Sequence, residues 1–219
     1  KAVAPGLNGR GVNMGAARAG AASQQAGSVF HDTVTAMGMP FLIELHAPES
    51  ETAAVAAVKH FHSALLRADD VFSLFKDDSE LSRLNRGELT IDDCEPEMLE
   101  ILQSCEWYRA ATLGAFDAHK PGGGLDPTGI VKSWAVERAA WRLDEVSSHW
   151  MVGASGDVLT RGGTRDIGIA NPHVKGSPQG LDVIDVVRLG PLHSALATSG
   201  GAQVVDHIWD PVTGDLARH

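Results

Sequence analysis

Three strings in the second half of the chain mix carboxylates, hydroxyls and cations in turn-like settings: GLDPTGIVK (Gly124 to Lys132), ALATSGG (Ala195 to Gly201) and DHIWDPVTG (Asp206 to Gly214). A folding core needs apolar periodicity, and these strings interrupt it. Together they read as the walls of one polar pocket for a phosphorylated ligand and a metal. Asp126 precedes Pro127 and a helix start, an ordinary place for a capping carboxylate. Its company shifts the reading, because Asp117, Lys120 and Lys132 lie nearby. A lysine in the first turns of a helix works against the helix dipole. A helix N-terminus with a lysine makes a good phosphate site. Gly122, Gly123 and Gly124 would let a ligand approach the backbone closely, although they match no standard phosphate-loop spacing.

Thr198 and Ser199 stand at a strand end before two glycines. The plain account is a polar strand terminus; the functional one is a hydroxyl and backbone cradle for phosphate oxygens. A serine nucleophile is less attractive, since the strand–turn–helix setting of a hydrolase elbow is missing. In DHIWDPVTG, Asp, Pro and Gly favour turn geometry. His207 stands next to Asp206 and three residues before Asp210, company that suits a general base near neutral pH. In MVGASGDVLTRGG, Asp157 reads first as part of a Gly-Asp hairpin turn, ahead of the other reading, a hydrogen-bond acceptor near the pocket.

The elements that must position these residues follow from the rest of the chain. It has 219 residues, of which 43% are hydrophobic, enough for a substantial core in one large domain or two small lobes. The formal net charge is −10 with no basic stripe, which argues against a nucleic-acid partner. No apolar run reaches transmembrane length. Cys94 and Cys105 lack metal or redox spacing and read as ordinary thiols. Residues 1–29, rich in Ala and Gly, read as a leader before a single domain over 30–219.

A strand-like stretch runs from Thr35 to His46, with Phe41, Ile43 and Leu45 alternating with Leu42, Glu44 and His46. Residues 50–75 carry the clearest helical periodicity. A short helix follows in DDSELSRLN, capped by Asp78 or Ser79, and Pro96 opens a third. The stretch from Gly114 to Gly129 reads as a functional loop leading into a fourth helix. Strand-like pieces then follow at about 150–159, 166–170, 182–189 and 194–198. Helices first and strands later predict an α+β fold, with helices packed on a mostly antiparallel sheet.

The strings TAMGMPF, VFSLFKDDSELSRLN, GAFD, LDPTGIVKSWAVE, GASGDV, IGIANP, ATSGG and HIWDPVTG occur in the same order as in the FAD:protein FMN transferases, the ApbE flavin-transferase family, and cover about Val34 to Gly214. The resemblance implies a T-fold-like α+β architecture. It also implies an enzyme that binds FAD with Mg²⁺ and transfers FMN to a threonine of an acceptor protein, releasing AMP. Position by position it implies that Met37, Phe75, Ala115, Phe116, Asp117, Asp126, Lys132 and Trp209 bind the flavin nucleotide. Ser199 joins them as the hydroxyl of the phosphate cradle. Gly129 stands where a backbone carbonyl ligates the metal, and His207 matches the catalytic histidine.

Two departures matter. Ser133 replaces a usual glycine. The family pattern also continues past DPxTG into a segment carrying the metal's side-chain ligands, whereas this sequence stops at His219, so further residues are expected beyond it. Two other readings of the pocket stay in view: an FAD pyrophosphatase giving FMN and AMP, and a non-catalytic FAD-binding protein. The compartment is open between a bacterial extracytoplasmic, membrane-associated setting and the cytoplasm.

Overall fold

The computed structural model describes residues 28–171, 182–199, 209–211 and 213–216. The first element is a hairpin. Strand β1 (Val29–Ala36) pairs antiparallel with β2 (Met39–His46), so that Val34 faces Phe41 and Phe30 faces Leu45. The stretch expected as one strand from Thr35 onward therefore folds back on itself at Met37 and Gly38. Both have positive φ, 51° and 71°, the geometry of a tight two-residue hairpin turn. Strand β1 was hidden in the sequence because Asp32 interrupts its alternation of inward-facing apolar residues.

Helix α1 (Glu51–Phe72) starts where Ser50 Oγ accepts the Ala53 N–H at 3.1 Å. It buries Ala54, Val58, Phe61, Leu65, Ala68 and Phe72, the periodic face expected from the sequence. Helix α2 (Glu80–Asn85) is capped by Ser79, whose Oγ accepts the Ser82 N–H at 3.0 Å. The same Ser79 hydroxyl donates to the Ser73 carbonyl at 2.6 Å, and the Ser82 hydroxyl donates to that carbonyl at 3.1 Å. The end of α1 is thus tied to the start of α2. A single 3₁₀ turn (Ile91–Asp93) precedes α3 (Pro96–Ala111), which opens with proline at its first position as expected.

Helix α4 (Thr128–Asp144) buries Val131, Ala135, Val136, Ala139, Ala140 and Leu143. Strands β3 (His149–Ala154) and β4 (Asp157–Arg161) form a second hairpin, turning at Ser155 and Gly156 with φ of 49° and 91°. Asp157 is therefore the first residue of β4, opposite Ala154, rather than a turn residue. The short strand β7 (Ala195–Leu196) joins β4, giving a five-stranded sheet in the order β1-β2-β3-β4-β7. Between β4 and β7 in the chain, β5 (Arg165–Ala170) and β6 (Val183–Leu189) form a separate two-stranded ladder. Among the described residues every strand pairing is antiparallel. The α+β expectation holds, and the described residues form two sheets.

One face of the large sheet carries Phe41, Ile43, Leu45, Trp150, Val152 and Ala154, all buried against α1 and α4. Each large side chain taken out of water there contributes roughly 1.5–3 kcal/mol. The Trp150 indole N–H is satisfied by Asp144 Oδ1 at 2.8 Å. On the opposite face Glu44 accepts from Arg165 at 2.6 Å and also meets His46, anchoring the start of β5. Burial works to raise the Glu44 carboxyl, but Arg165 and His46 outweigh it and leave it below its ordinary value.

The Ser79 junction yields a stability prediction. Ser79 is 1% exposed, so Ser79→Ala loses the cap and one of the two donors to the Ser73 carbonyl. Urea unfolding is expected to show a loss of about 1–2 kcal/mol. A change under about 0.3 kcal/mol, the scale of an ordinary surface substitution, would mean that the junction contributes little.

Candidate functional site

The loop before α4 is a closed hairpin. Lys120 N–H donates to the Gly124 carbonyl at 3.0 Å, Gly123 N–H returns to the Lys120 carbonyl at 3.0 Å, and Asp126 N–H donates to the Ala118 carbonyl at 2.7 Å. Gly122, Gly123 and Gly124 all have positive φ, between 86° and 101°. Such a tip is open to glycine and strained for any other residue. Side chains added at Gly122 and Gly123 would meet open space. The three glycines thus serve the turn, a use that the sequence could not separate from a ligand cradle.

Asn85, the last residue of α2, holds this loop from outside. Its Nδ2 donates to the Leu125 carbonyl at 2.9 Å, and its Oδ1 accepts the Leu125 N–H at 2.7 Å. Both backbone groups of the residue before Asp126 are satisfied by one amide. Asn85 was not singled out from the sequence, because a polar residue ending a short helix looks like any exposed terminus.

Asp126 does not occupy the N-cap itself; Pro127 does, and offers no side-chain bond. The Asp126 carboxylate instead accepts from Thr128 N–H at 3.1 Å and Thr128 Oγ–H at 2.5 Å. Asp117 accepts from the His119 backbone N–H and imidazole, each at 2.8 Å. The backbone bond from His119 holds its carboxyl below the ordinary value. The buried Cys105 thiol on α3 is pushed up to about 11, first by burial, then by Glu106, Asp117 and Asp126. It is an inert thiol at neutral pH.

Gly129, in the first turn of α4, lies under the Phe116 ring; an added Cβ would sit 3.1 Å from Phe116 Cε2. Tyr108 meets Phe116 edge-on, with centroids 6.3 Å apart. These residues, with Ile130 and Ser133, line a shallow depression beside the helix N-terminus.

One turn further along α4, Lys132 Nζ meets Asp157 Oδ2 at 2.6 Å, with both side chains about three-quarters buried. The sequence groups this lysine with Asp117, Lys120 and Asp126; its described partner is Asp157. The other oxygen of Asp157 accepts the Thr198 N–H at 3.0 Å. Thr198 Oγ1 fills the space beside Gly156, where an added Cβ would come within 2.3 Å of it. Three strings far apart in sequence, LDPTGIVK, GASGDV and ATSGG, thus meet at one carboxylate.

Met37 is half-buried in the β1–β2 turn. Ser155 Oγ, in the neighbouring β3–β4 turn, reaches Met39 Sδ at 3.5 Å. Ala115 and Ser199 are exposed. Phe75 is 97% exposed, outside the cluster of buried groups. Trp209 is half-buried and bridges to Leu216, and the turn is closed by Asp210 N–H to Asp215 O and Gly214 N–H to Asp210 O, both 2.8 Å. Gly214 packs on Pro121, which sets this turn against the loop before α4. His207 lies outside the described residues. Among the described residues, no group of three or more His, Cys, Asp or Glu side chains is arranged to hold a metal ion. No described helix is long and apolar enough to cross a membrane.

The Asn85 bracket makes a second prediction. Asn85→Ala leaves the Leu125 N–H and carbonyl without these partners, at an expected cost of roughly 1–3 kcal/mol. Limited proteolysis should then cut faster between 118 and 127 than elsewhere. Unchanged cleavage there would show that the loop is held without Asn85.

The sequence model of the ApbE family matches residues 37–121 and 118–219. No curated protein matches the chain. Among solved structures, the ApbE protein of Thermotoga maritima MSB8 is similar at 22% identity, with a TM-score of 0.70 over 87% of this chain and 79% of that one. The flavin transferase ApbE of Vibrio cholerae is similar at 19% identity, TM-score 0.67, over 87% and 79%. The flavinyl transferase ApbE of Pseudomonas stutzeri, in its apo form, is similar at 19% identity, TM-score 0.67, over 88% and 76%.

Proposed function

Because the chain belongs to the ApbE family, we propose that it is a flavin transferase that moves FMN from FAD to a threonine hydroxyl of an acceptor protein and releases AMP. The observation that carries this reading is the meeting of three family strings at Asp157. Lys132 and the Thr198 N–H occupy its two oxygens, beside a loop whose Asp126 is already ordered. A lysine about three-quarters buried one turn into a helix, near a strand end rich in hydroxyls, suits a phosphorylated ligand. The depression formed by Phe116, Tyr108 and Gly129 offers an aromatic wall for a flat ring.

In the proposed reaction the threonine oxygen attacks the phosphorus of the FMN half. A new phosphorus–oxygen bond forms, the pyrophosphate bond breaks, and AMP leaves with the bridging oxygen. His207 accepts the threonine proton. Lys132 and Ser199 hold phosphate oxygens in line. Met37, Phe75, Ala115, Asp117 and Trp209 complete the proposed nucleotide contacts. The reaction is proposed to need Mg²⁺, with the Gly129 carbonyl as one ligand. Among the described residues no group of three or more His, Cys, Asp or Glu side chains completes an ion site, and the need for the ion rests on family membership.

One incubation separates this reading from its rivals. The protein is mixed with FAD, Mg²⁺ and a threonine-bearing acceptor protein. A fluorescent acceptor supports transfer. Free FMN with AMP supports a pyrophosphatase, and unchanged FAD supports a binding protein.

Two variants sharpen the test. His207→Ala is expected to lower the transfer rate by ~10²–10⁴-fold with little change in FAD affinity; equal losses in both would make it a structural histidine. Lys132→Ala is expected to weaken FAD binding through loss of a charge-assisted contact of roughly 1.5–3 kcal/mol, read by titration of flavin fluorescence. Unchanged affinity would remove Lys132 from the nucleotide site.

A further inference from the structure

We propose that Asp157 is a positioning residue for the nucleotide site, holding the Lys132 ammonium and the Thr198–Ser199 strand end in fixed relation before the ligand arrives. This rests on the FAD reading above and deepens it. Three observations carry the inference. The Lys132–Asp157 contact is short, 2.6 Å, and both side chains are largely withdrawn from water, at 24% and 27% exposure. Its second oxygen is used as well, on the Thr198 N–H at 3.0 Å. The backbone beside it is shaped for the contact: Gly156 has φ of 91°, and Thr198 Oγ1 occupies the space that a Cβ would fill.

The physical logic starts from Lys132. Its flexible stem loses rotamer freedom whenever the ammonium is held at one point. Its place in the first turns of α4 is also opposed by the helix dipole. An ion pair already formed in the folded protein meets both costs before any ligand binds. The ammonium has three donors, and Asp157 takes one, so two N–H groups are left for phosphate oxygens. Because the same carboxylate holds Thr198, α4 and the strand end share one reference point on β4. Asp157 is not a reacting group. It acts through Lys132 and through the Thr198 backbone.

The two arms can be separated chemically. Asp157→Asn keeps an oxygen for the Thr198 N–H and removes the charge that holds Lys132. The experiment measures FAD affinity for the wild type, Asp157→Asn, Lys132→Ala and the double variant, with thermal unfolding of each as a check on folding. Asp157→Asn is expected to unfold near the wild-type temperature yet bind FAD about tenfold more weakly. In the Lys132→Ala background it should change affinity less than about twofold, because the group it acts through is gone. Multiplying effects in the double variant would overturn the proposal and make Asp157 an independent structural residue. Tighter binding by Asp157→Asn would also overturn it, since the carboxylate would then compete with the ligand for Lys132. A wild-type protein that binds no FAD would overturn the functional reading and this inference together. A wild type that binds FAD with multiplying effects would overturn this inference alone.

Discussion

The apolar seam in which α1 and α4 press on β2 and β3 is the constraint on which everything else hangs. Phe41, Ile43 and Leu45 from β2, with Trp150 and Val152 from β3, meet Phe61 and Leu65 of α1 and the Val131–Leu143 face of α4. Close packing of this kind sets the height and rotation of α4 over the sheet to within a side chain's width. Lys132 follows directly on Val131, a buried residue of that seam. The rotation that buries Val131 therefore also turns Lys132 toward the edge where β4 begins. The polar contacts of the site are consequences of an apolar fit.

A second layer of order comes from short polar brackets at the ends of elements. Ser79 ties α1 to α2, Asn85 ties α2 to the loop before α4, and Asp126 orders the first turn of α4. The brackets run in series along the chain, and each ends where the next begins. Three polar residues of the string SELSRLN take part: Ser79 and Ser82 hold the Ser73 carbonyl, and Asn85 holds the backbone of Leu125. Tight turns do similar work at Met37–Gly38 and Ser155–Gly156, where positive φ values bring two hairpin tips side by side, with Ser155 reaching Met39.

Much of the fold was legible in the sequence. The periodic face of α1, the Ser79 cap, Pro96 at the start of α3 and the shift from helices to strands all have local causes. Strand β1 was not legible, because Asp32 sits on its inward face and Met37 turns the chain without a glycine at that position. The division into two sheets was not legible either, since strand pairing is a matter of distant partners rather than local pattern.

What the sequence determined by itself was the inventory: which residues could carry charge, cap a helix or tolerate a turn, and in what order they occur. That order alone carries the family. What only the tertiary structure decided was partnership. Asp157 looked like a turn residue and is the carboxylate that receives Lys132, 25 positions away in the chain, and Thr198, 41 positions away. Asn85 looked like an exposed helix end and holds the backbone of Leu125. The reason is physical. A capping bond or an apolar stripe is set within a few residues, but an ion pair between distant segments exists only after the core has packed and fixed their separation.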